Sequence, residues 1–298
     1  MSRRKSADER RAEAEALHNQ LTDQVAQLVQ SDDWARFLRF AAAFHSYSLN
    51  NVLLILSQCP HASQVAGFRQ WQARGRQVRK GERSIRIFGY STKKITKEDE
   101  NGEEVERKIP RFPVLSVFDV SQTDPIEGAE PDPTMPTVAP APGEHDGDPD
   151  EIYAAAVDYL RRIGWTVDRE PAQAGGADGY TTTGGTKRVV VADHLEATHA
   201  TTTILHEAAH VILHADDEPG EYITHRGVKE TEAESVAYVA AGLLGLDTSA
   251  YSIVYVAHWT REQTDLIRQT ASNVLTAVHT LAEALNSRAD QDEDHTAA

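Results

Sequence analysis

"TTTILHEAAHVILH", residues 201–214, decides how the second half of this 298-residue chain folds and what chemistry it supports. His206 and His210 are four apart, so on a helix both imidazoles share a face, with Glu207 beside them. Two neutral nitrogen ligands, a third protein ligand, one open position and a neighbouring carboxylate as general base form the donor set of a hydrolytic zinc site. Small Ala208 and Ala209 fill the gap, and Ile204, Leu205, Val211, Ile212 and Leu213 flank the motif as a buried helix requires. The expected cofactor is Zn2+, with Glu207 as the catalytic base and His206 and His210 as ligands.

The third ligand must come from elsewhere. His214 continues the same face, but eight residues of helix place its Cα about 12 Å from that of His206. Leu213 and Asp216 stand where a metzincin pattern needs Gly and His, so the chain does not turn back there. The next predicted helix, "VKETEAESVAYVAAGLL", offers Glu230 and Glu234 on one face, with Ala233, Ala237 and Ala241 allowing close helix approach. Helix geometry alone leaves both glutamates open, one as the ligand and the other standing one turn behind it.

"LHEAAHVILH" followed by "ETEAESVAYVAAGLL" resembles the ImmA/IrrE-type zinc metallopeptidases over about residues 186–246. The resemblance implies a zincin-like α+β domain in which His206, His210 and Glu230 hold zinc, with Glu234 behind them. It also implies that the strand "RVVVAD" lies along the cleft with an edge open to an extended peptide.

The chain carries 46 Asp+Glu against 30 Lys+Arg, a net charge of −16, yet from Arg36 to Lys94 eleven cations face one acid, Glu82. Tyr47, Phe68, Trp71, Phe88 and Tyr90 are interleaved with those cations. Charges that track a phosphate backbone and rings on which bases stack are the requirements of single-stranded nucleic acid binding. No helix-turn-helix or finger signature points to duplex reading. Arg74, Arg76, Arg79, Lys80, Arg83 and Arg86 are the candidate phosphate contacts. The run from "FHSYSLNN" to "RKGERSIRIF" resembles the N-terminal domain of ArdC-type antirestriction proteins over about residues 15–120. That resemblance implies single-stranded DNA binding and matches Tyr47, Ser48, Asn50, Gln58, Trp71, Arg76 and Lys80 by position.

Between these regions, residues 121–150 hold seven prolines, eight acids and no Lys or Arg. Such a composition buries too little to offset chain entropy and reads as a linker. The expected organisation is therefore an N-terminal DNA-binding domain (1–120), an acidic Pro-rich linker (121–149), a zincin-like domain (150–287) and a disordered tail (288–298). The fold class is α+β. The N-terminal domain has helices first and a small antiparallel sheet after, with a polar arm turning at Asn101-Gly102.

The N-terminus has no apolar segment behind its charges, no run approaches a membrane span, and Cys59 is the single cysteine. A cytoplasmic location without membrane association is expected. The combined reading is a single-stranded-DNA-binding zinc metallopeptidase of a mobile element, with an unknown protein substrate and an antirestriction or DNA-protective role. Its rivals are a non-catalytic DNA-binding protein with structural zinc, and an ImmA-like protease that cleaves a repressor.

Overall fold

The computed structural model describes residues 6–98, 104–129, 147–172, 176–182, 185–217, 221–246 and 263–296. It is an α+β protein with two compact units that interleave along the chain. One comprises residues 1–24 and 50–138, the other 25–49 and 139–298.

The first unit begins with α1 (Ala7–Gln27), whose Leu17 and Leu21 are buried, and continues with α3 (Leu49–Gln58). A three-stranded antiparallel sheet has the order β1 (Val65–Ala66), β6 (Val114–Asp119), β3 (Ile85–Phe88). The free edge of β3 is closed by side chains of α3. Asn51 Nδ2 donates to Phe88 O (2.8 Å) and Asn51 Oδ1 accepts from Phe88 N (2.9 Å). Two turns along, Gln58 Nε2 donates to Arg86 O and its Oε1 accepts from Arg86 N, both at 2.9 Å. The two amides thus satisfy ladder groups that a bare edge would present to other chains. Between β1 and β3 lie α4 (Phe68–Ala73) and β2 (Arg76–Val78). The arm is an antiparallel pair, β4 (Ser91–Glu98) with β5 (Glu104–Arg111). The expected Asn101-Gly102 turn falls outside the described residues.

The start of the acidic segment is structured. Val120–Gln122 form a 3-10 turn, and β7 (Thr123–Pro125) pairs with β2, Val78 opposite Thr123 and Arg76 opposite Pro125. Of the linker expected from residue 121, the first two residues therefore belong to the turn and the next three to the strand. Buried Asp119 holds this junction: Oδ1 accepts from Ser63 N (2.9 Å) and Gln64 N (3.0 Å), and Oδ2 from Ser121 N (2.9 Å).

The second unit recruits α2 (Ser31–Phe44) from the N-terminal half. Trp34, Phe37, Leu38 and Ala41 are fully buried, and α2 packs on α7 (Glu221–Leu243), with Trp34 Nε1 donating to Ser235 Oγ (3.0 Å). A stripe of that size needs a helix partner, and the alanine-rich face of α7 provides one. α5 (Pro149–Arg162), capped by Asp148, leads into a mixed sheet of order β8 (Thr166–Glu170), β10 (Arg188–Ala192), β9 (Gly179–Thr181). β10 is parallel to β8 and antiparallel to β9. Val189, Val190 and Val191 are buried, as a central strand covered on both faces requires. α6 (Ala197–His214) packs on this sheet and on α5, α7 and α8 (Thr264–Thr296).

Two details differ from expectation. α7 starts at Glu221 and is interrupted at His225 (φ −117°, ψ 20°), and α8 continues through Thr296 over the stretch read as a disordered tail. Once a helix is nucleated each added residue costs little, and Arg288, Ala289, Gln291 and Glu293 are all compatible with its continuation. No helix among the described residues is long and apolar enough to cross a membrane.

Candidate metal centre and nucleic-acid interface

α6 carries His206, Glu207 and His210 on one face, and α7 brings Glu230 opposite them. Close approach of the two helices is possible because Ala208, Ala209, Ala233 and Ala237 are fully buried without bulk. His206 Nε2 lies 3.1 Å from His210 Nε2 and 3.4 Å from Glu230 Oε2, and the third separation, His210 Nε2 to Glu230 Oε2, is 3.8 Å. Ligands on a tetrahedral ion with bonds of about 2.0–2.1 Å stand about 3.3–3.4 Å apart, so the three atoms fit one divalent ion.

Glu234 sits one turn further along α7. Its Oε2 is 3.1 Å from His206 Nδ1, the nitrogen that faces away from the other two candidate ligand atoms. Glu207 is buried, and Thr181 Oγ1 of β9 donates to its Oε2 at 2.7 Å. A cavity of about 430 Å³ lies over the cluster, lined by β9, α6, Arg226 and Glu230. The local field favours positive charge. Burial works against a charged His206, yet hydrogen bonds to Glu230 and Glu234, with the charge of Glu207, hold its pKa up to about 10. Burial pushes the Glu207 carboxyl up, against the pull of His206, the Thr181 hydrogen bond and His210.

The resemblance implied an open edge on "RVVVAD", and the topology corrects this. β10 is the central strand, and the edge beside the cluster is β9. Gly179 is what brings β9 so close: a Cβ there would meet Thr203 Cγ2 at 2.7 Å and Glu207 Oε1 at 3.0 Å. Gly179 and Thr181 were not foreseen, because neither belongs to a motif. Only the packing of β9 on α6 puts them at Glu207.

In the other unit the candidate DNA contacts divide. Trp71 is 2% exposed, packs with Ala66 and Val78, and donates its indole N–H to Phe118 O (2.8 Å), so no ring face is left for a base. Arg74 lies over that ring, 5.4 Å from its centroid to Cζ. The Gln58 amide is spent on β3. Arg76 donates to Thr123 Oγ1 (2.7 Å) and Thr123 O (3.1 Å), while Arg86 is held by Glu13 (2.7 Å) and Ser116. Arg79 bridges Glu82 and Asp124. Tyr47 belongs to the second unit, its ring edge-on to Phe44 (5.9 Å). Asn50, Arg69, Lys80 and Arg83 are exposed, as are the rings of Phe68 (43%), Tyr90 (71%) and Phe112 (63%). Phe68 and Lys80 border an open groove of about 660 Å³, and Tyr90 and Phe112 meet edge-on at the root of the arm (5.8 Å).

Known proteins align with both units. Residues 11–118 match the model for the N-terminal domain of anti-restriction factor ArdC, and residues 160–274 match the IrrE N-terminal-like domain of the M78 peptidases. An uncharacterized protein of Bacillus anthracis is 26% identical over 89% of this chain, which spans about half (51%) of that relative's length. The Mn(II)-bound crystal structure of the antirestriction ArdC protein from plasmid R388 covers 90% of this chain and 98% of its own, with TM-score 0.53 and 18% identity. The metal-free form covers 81% and 86%, with TM-score 0.47 and 23% identity.

Proposed function

The chain joins an ArdC-type N-terminal domain to an IrrE-like domain, and on that premise we propose a single-stranded-DNA-binding zinc metallopeptidase of a mobile genetic element, serving an antirestriction or DNA-protective role. The observation that carries the peptidase half is the set of three ligand atoms within 3.1–3.8 Å of one another beside a buried, anchored Glu207.

His206, His210 and Glu230 are the ligands. Two imidazoles and one carboxylate suit zinc, and the Mn(II) form of R388 ArdC supports a divalent ion in this fold. Held by these residues, the ion would supply Lewis acidity and would lower the pKa of a water toward about 7. Glu207 accepts the proton of the attacking water and later passes it to the leaving amine, with its carboxylate aimed by Thr181 Oγ1. Glu234 accepts the Nδ1 proton of His206 and so keeps Nε2 unprotonated for the ion. An extended peptide pairs with the outer edge of β9 and lies across the cavity. The DNA surface is the exposed set Phe68, Arg69, Lys80 and Arg83, with Tyr90 and Phe112 as stacking rings.

The test compares protein N-termini in cells expressing wild type or Glu207→Gln. The amide keeps the volume but cannot take a proton, so zinc content should be unchanged while wild-type-dependent N-termini disappear. General-base removal typically costs about 10²–10⁴-fold. Identical N-termini from both proteins, each loaded with metal, would leave the rival reading in which the ion is structural.

A further inference from the structure

His214 completes the helical face that begins with His206 and His210, yet it is no part of the three-atom cluster. It lies behind it. His210 Nδ1 is 3.0 Å from His214 Nδ1, and His214 Nε2 is 2.8 Å from Glu232 Oε2. The other Glu232 oxygen accepts from Asn273 Nδ2 (2.8 Å), and Asn273 Oδ1 accepts from Gln269 Nε2 (2.8 Å). His210, His214 and Glu232 are all buried, at 7%, 8% and 4% exposure.

We propose that His214 and Glu232 are positioning residues that set the tautomer and orientation of His210 through a two-imidazole relay. The proposal rests on His210 being a metal ligand. A ring nitrogen that binds an ion offers a lone pair, so the proton of a neutral His210 must sit on Nδ1. From there it is donated across the 3.0 Å contact to His214 Nδ1, which must then be the acceptor. The His214 proton is thereby placed on Nε2, where the Glu232 carboxylate receives it. Glu232 also accepts from Asn273, whose amide is turned toward it because Gln269 occupies Asn273 Oδ1. With both imidazoles neutral and Glu232 ionised, these contacts are satisfied in the arrangement that leaves His210 Nε2 open toward His206 and Glu230.

The reverse arrangement shows why a carboxylate is needed at the far end. A donor in place of Glu232 would oblige His214 Nε2 to accept. The His214 proton would move to Nδ1 and point at His210 Nδ1, sending the His210 proton to Nε2, where it blocks the ion. Glu234 performs the same service for His206 directly, at 3.1 Å, so the two histidines are aimed by two different α7 carboxylates, one in contact and one through an intermediary. Outer partners of this kind typically govern metal affinity by about 10–100-fold.

The full-length protein, loaded with Zn(II), provides the first measurement. Long-range 1H–15N spectra of histidine-labelled wild type should show His210 protonated at Nδ1 and His214 at Nε2. His214 protonated at Nδ1 would overturn the relay without any variant. The second measurement is Zn(II) affinity, by chelator competition, for Glu232→Gln, His214→Phe and the double variant, beside the melting temperature of each metal-free protein. Each single variant should bind zinc about 10–100-fold more weakly. The double variant should be no worse than the weaker single one, because both changes interrupt one chain. Unchanged affinity in folded variants, or losses that simply add, would overturn the proposal. His206→Ala separates the levels: if wild type binds no more zinc than this variant, the metal-site reading itself fails, whereas tight wild-type binding with insensitive Glu232 and His214 variants removes only the relay.

Discussion

Glu230 and Glu234 stand one turn apart on the same face of α7, and their distances to the histidines tell them apart: Glu230 Oε2 faces the Nε2 atoms of both, whereas Glu234 Oε2 meets His206 at Nδ1. Glu230→Ala should therefore purify without zinc, and Glu234→Ala should retain it with affinity reduced about 10–100-fold. Metal content of the two proteins checks this, and the reverse order would exchange their roles. Asp119 is a second residue whose role is local and testable. Burial opposes its charge, but hydrogen bonds from Ser121, Gln64 and Ser63 outweigh that and hold its carboxyl below the usual range. A lowered folded-state pKa stabilises the protein above the unfolded pKa of about 3.9, and that contribution disappears as pH falls through the folded value. Asp119→Asn turns one acceptor into a donor facing a backbone N–H and should cost about 1–3 kcal/mol at neutral pH. Urea midpoints between pH 6 and pH 2 should fall more steeply for wild type than for the variant. Parallel curves would mean that the carboxylate is not the linked group.

At the scale of elements, α4 and the strands around it separate core from surface more sharply than their composition suggests. Trp71 and Phe68 are both aromatic residues of α4, but one is 2% exposed and the other 43%. Trp71→Ala should therefore act on stability, by about 3–5 kcal/mol, and lower DNA affinity only by unfolding the first unit. Phe68→Ala and Tyr90→Ala should leave the melting temperature almost unchanged. Each should weaken binding to single strands by about 1–3 kcal/mol, the range for loss of one stacked base. Titrations of an oligonucleotide at several salt concentrations, with melting curves on the same samples, distinguish the two effects. Full affinity in Tyr90→Ala would exclude the arm root from the interface. The same region shows what was readable in advance. The helix stripes, β3, β6 and the arm follow from hydrophobic period and turn residues. The use of Asn51 and Gln58 to close the edge of β3 does not, because an amide that serves a strand edge has no local signature distinguishing it from one that meets a ligand.

Across the whole molecule, the Pro-rich acidic stretch divides the sequence more cleanly than it divides the fold. α2 lies on its N-terminal side and is buried on α7, which lies on the other. Proteolysis within residues 130–146, the part richest in Pro and acids, should therefore leave two fragments that co-elute in native gel filtration and separate only in denaturant. Burial of Trp34, Phe37 and Leu38, with the Trp34–Ser235 hydrogen bond, is what opposes their separation. An N-terminal fragment that elutes alone would show that α2 does not stay docked. What the sequence by itself determined is what depends on near neighbours: the pairing of His206 and His210 on one face with Glu207 beside them, the amphipathic helices, the central valines of β10 and the charge segregation. Those properties follow from helical and strand periods and from composition, which act over a few residues. What only the tertiary structure decided is which distant groups meet them: Glu230 opposite the histidines, Thr181 on Glu207, Glu232 and Asn273 behind His214, Ser235 under Trp34, and Trp71 turned inward. Each of those contacts joins segments far apart in the chain, and their meeting is set by how small residues let helices and strands approach, which no local period encodes.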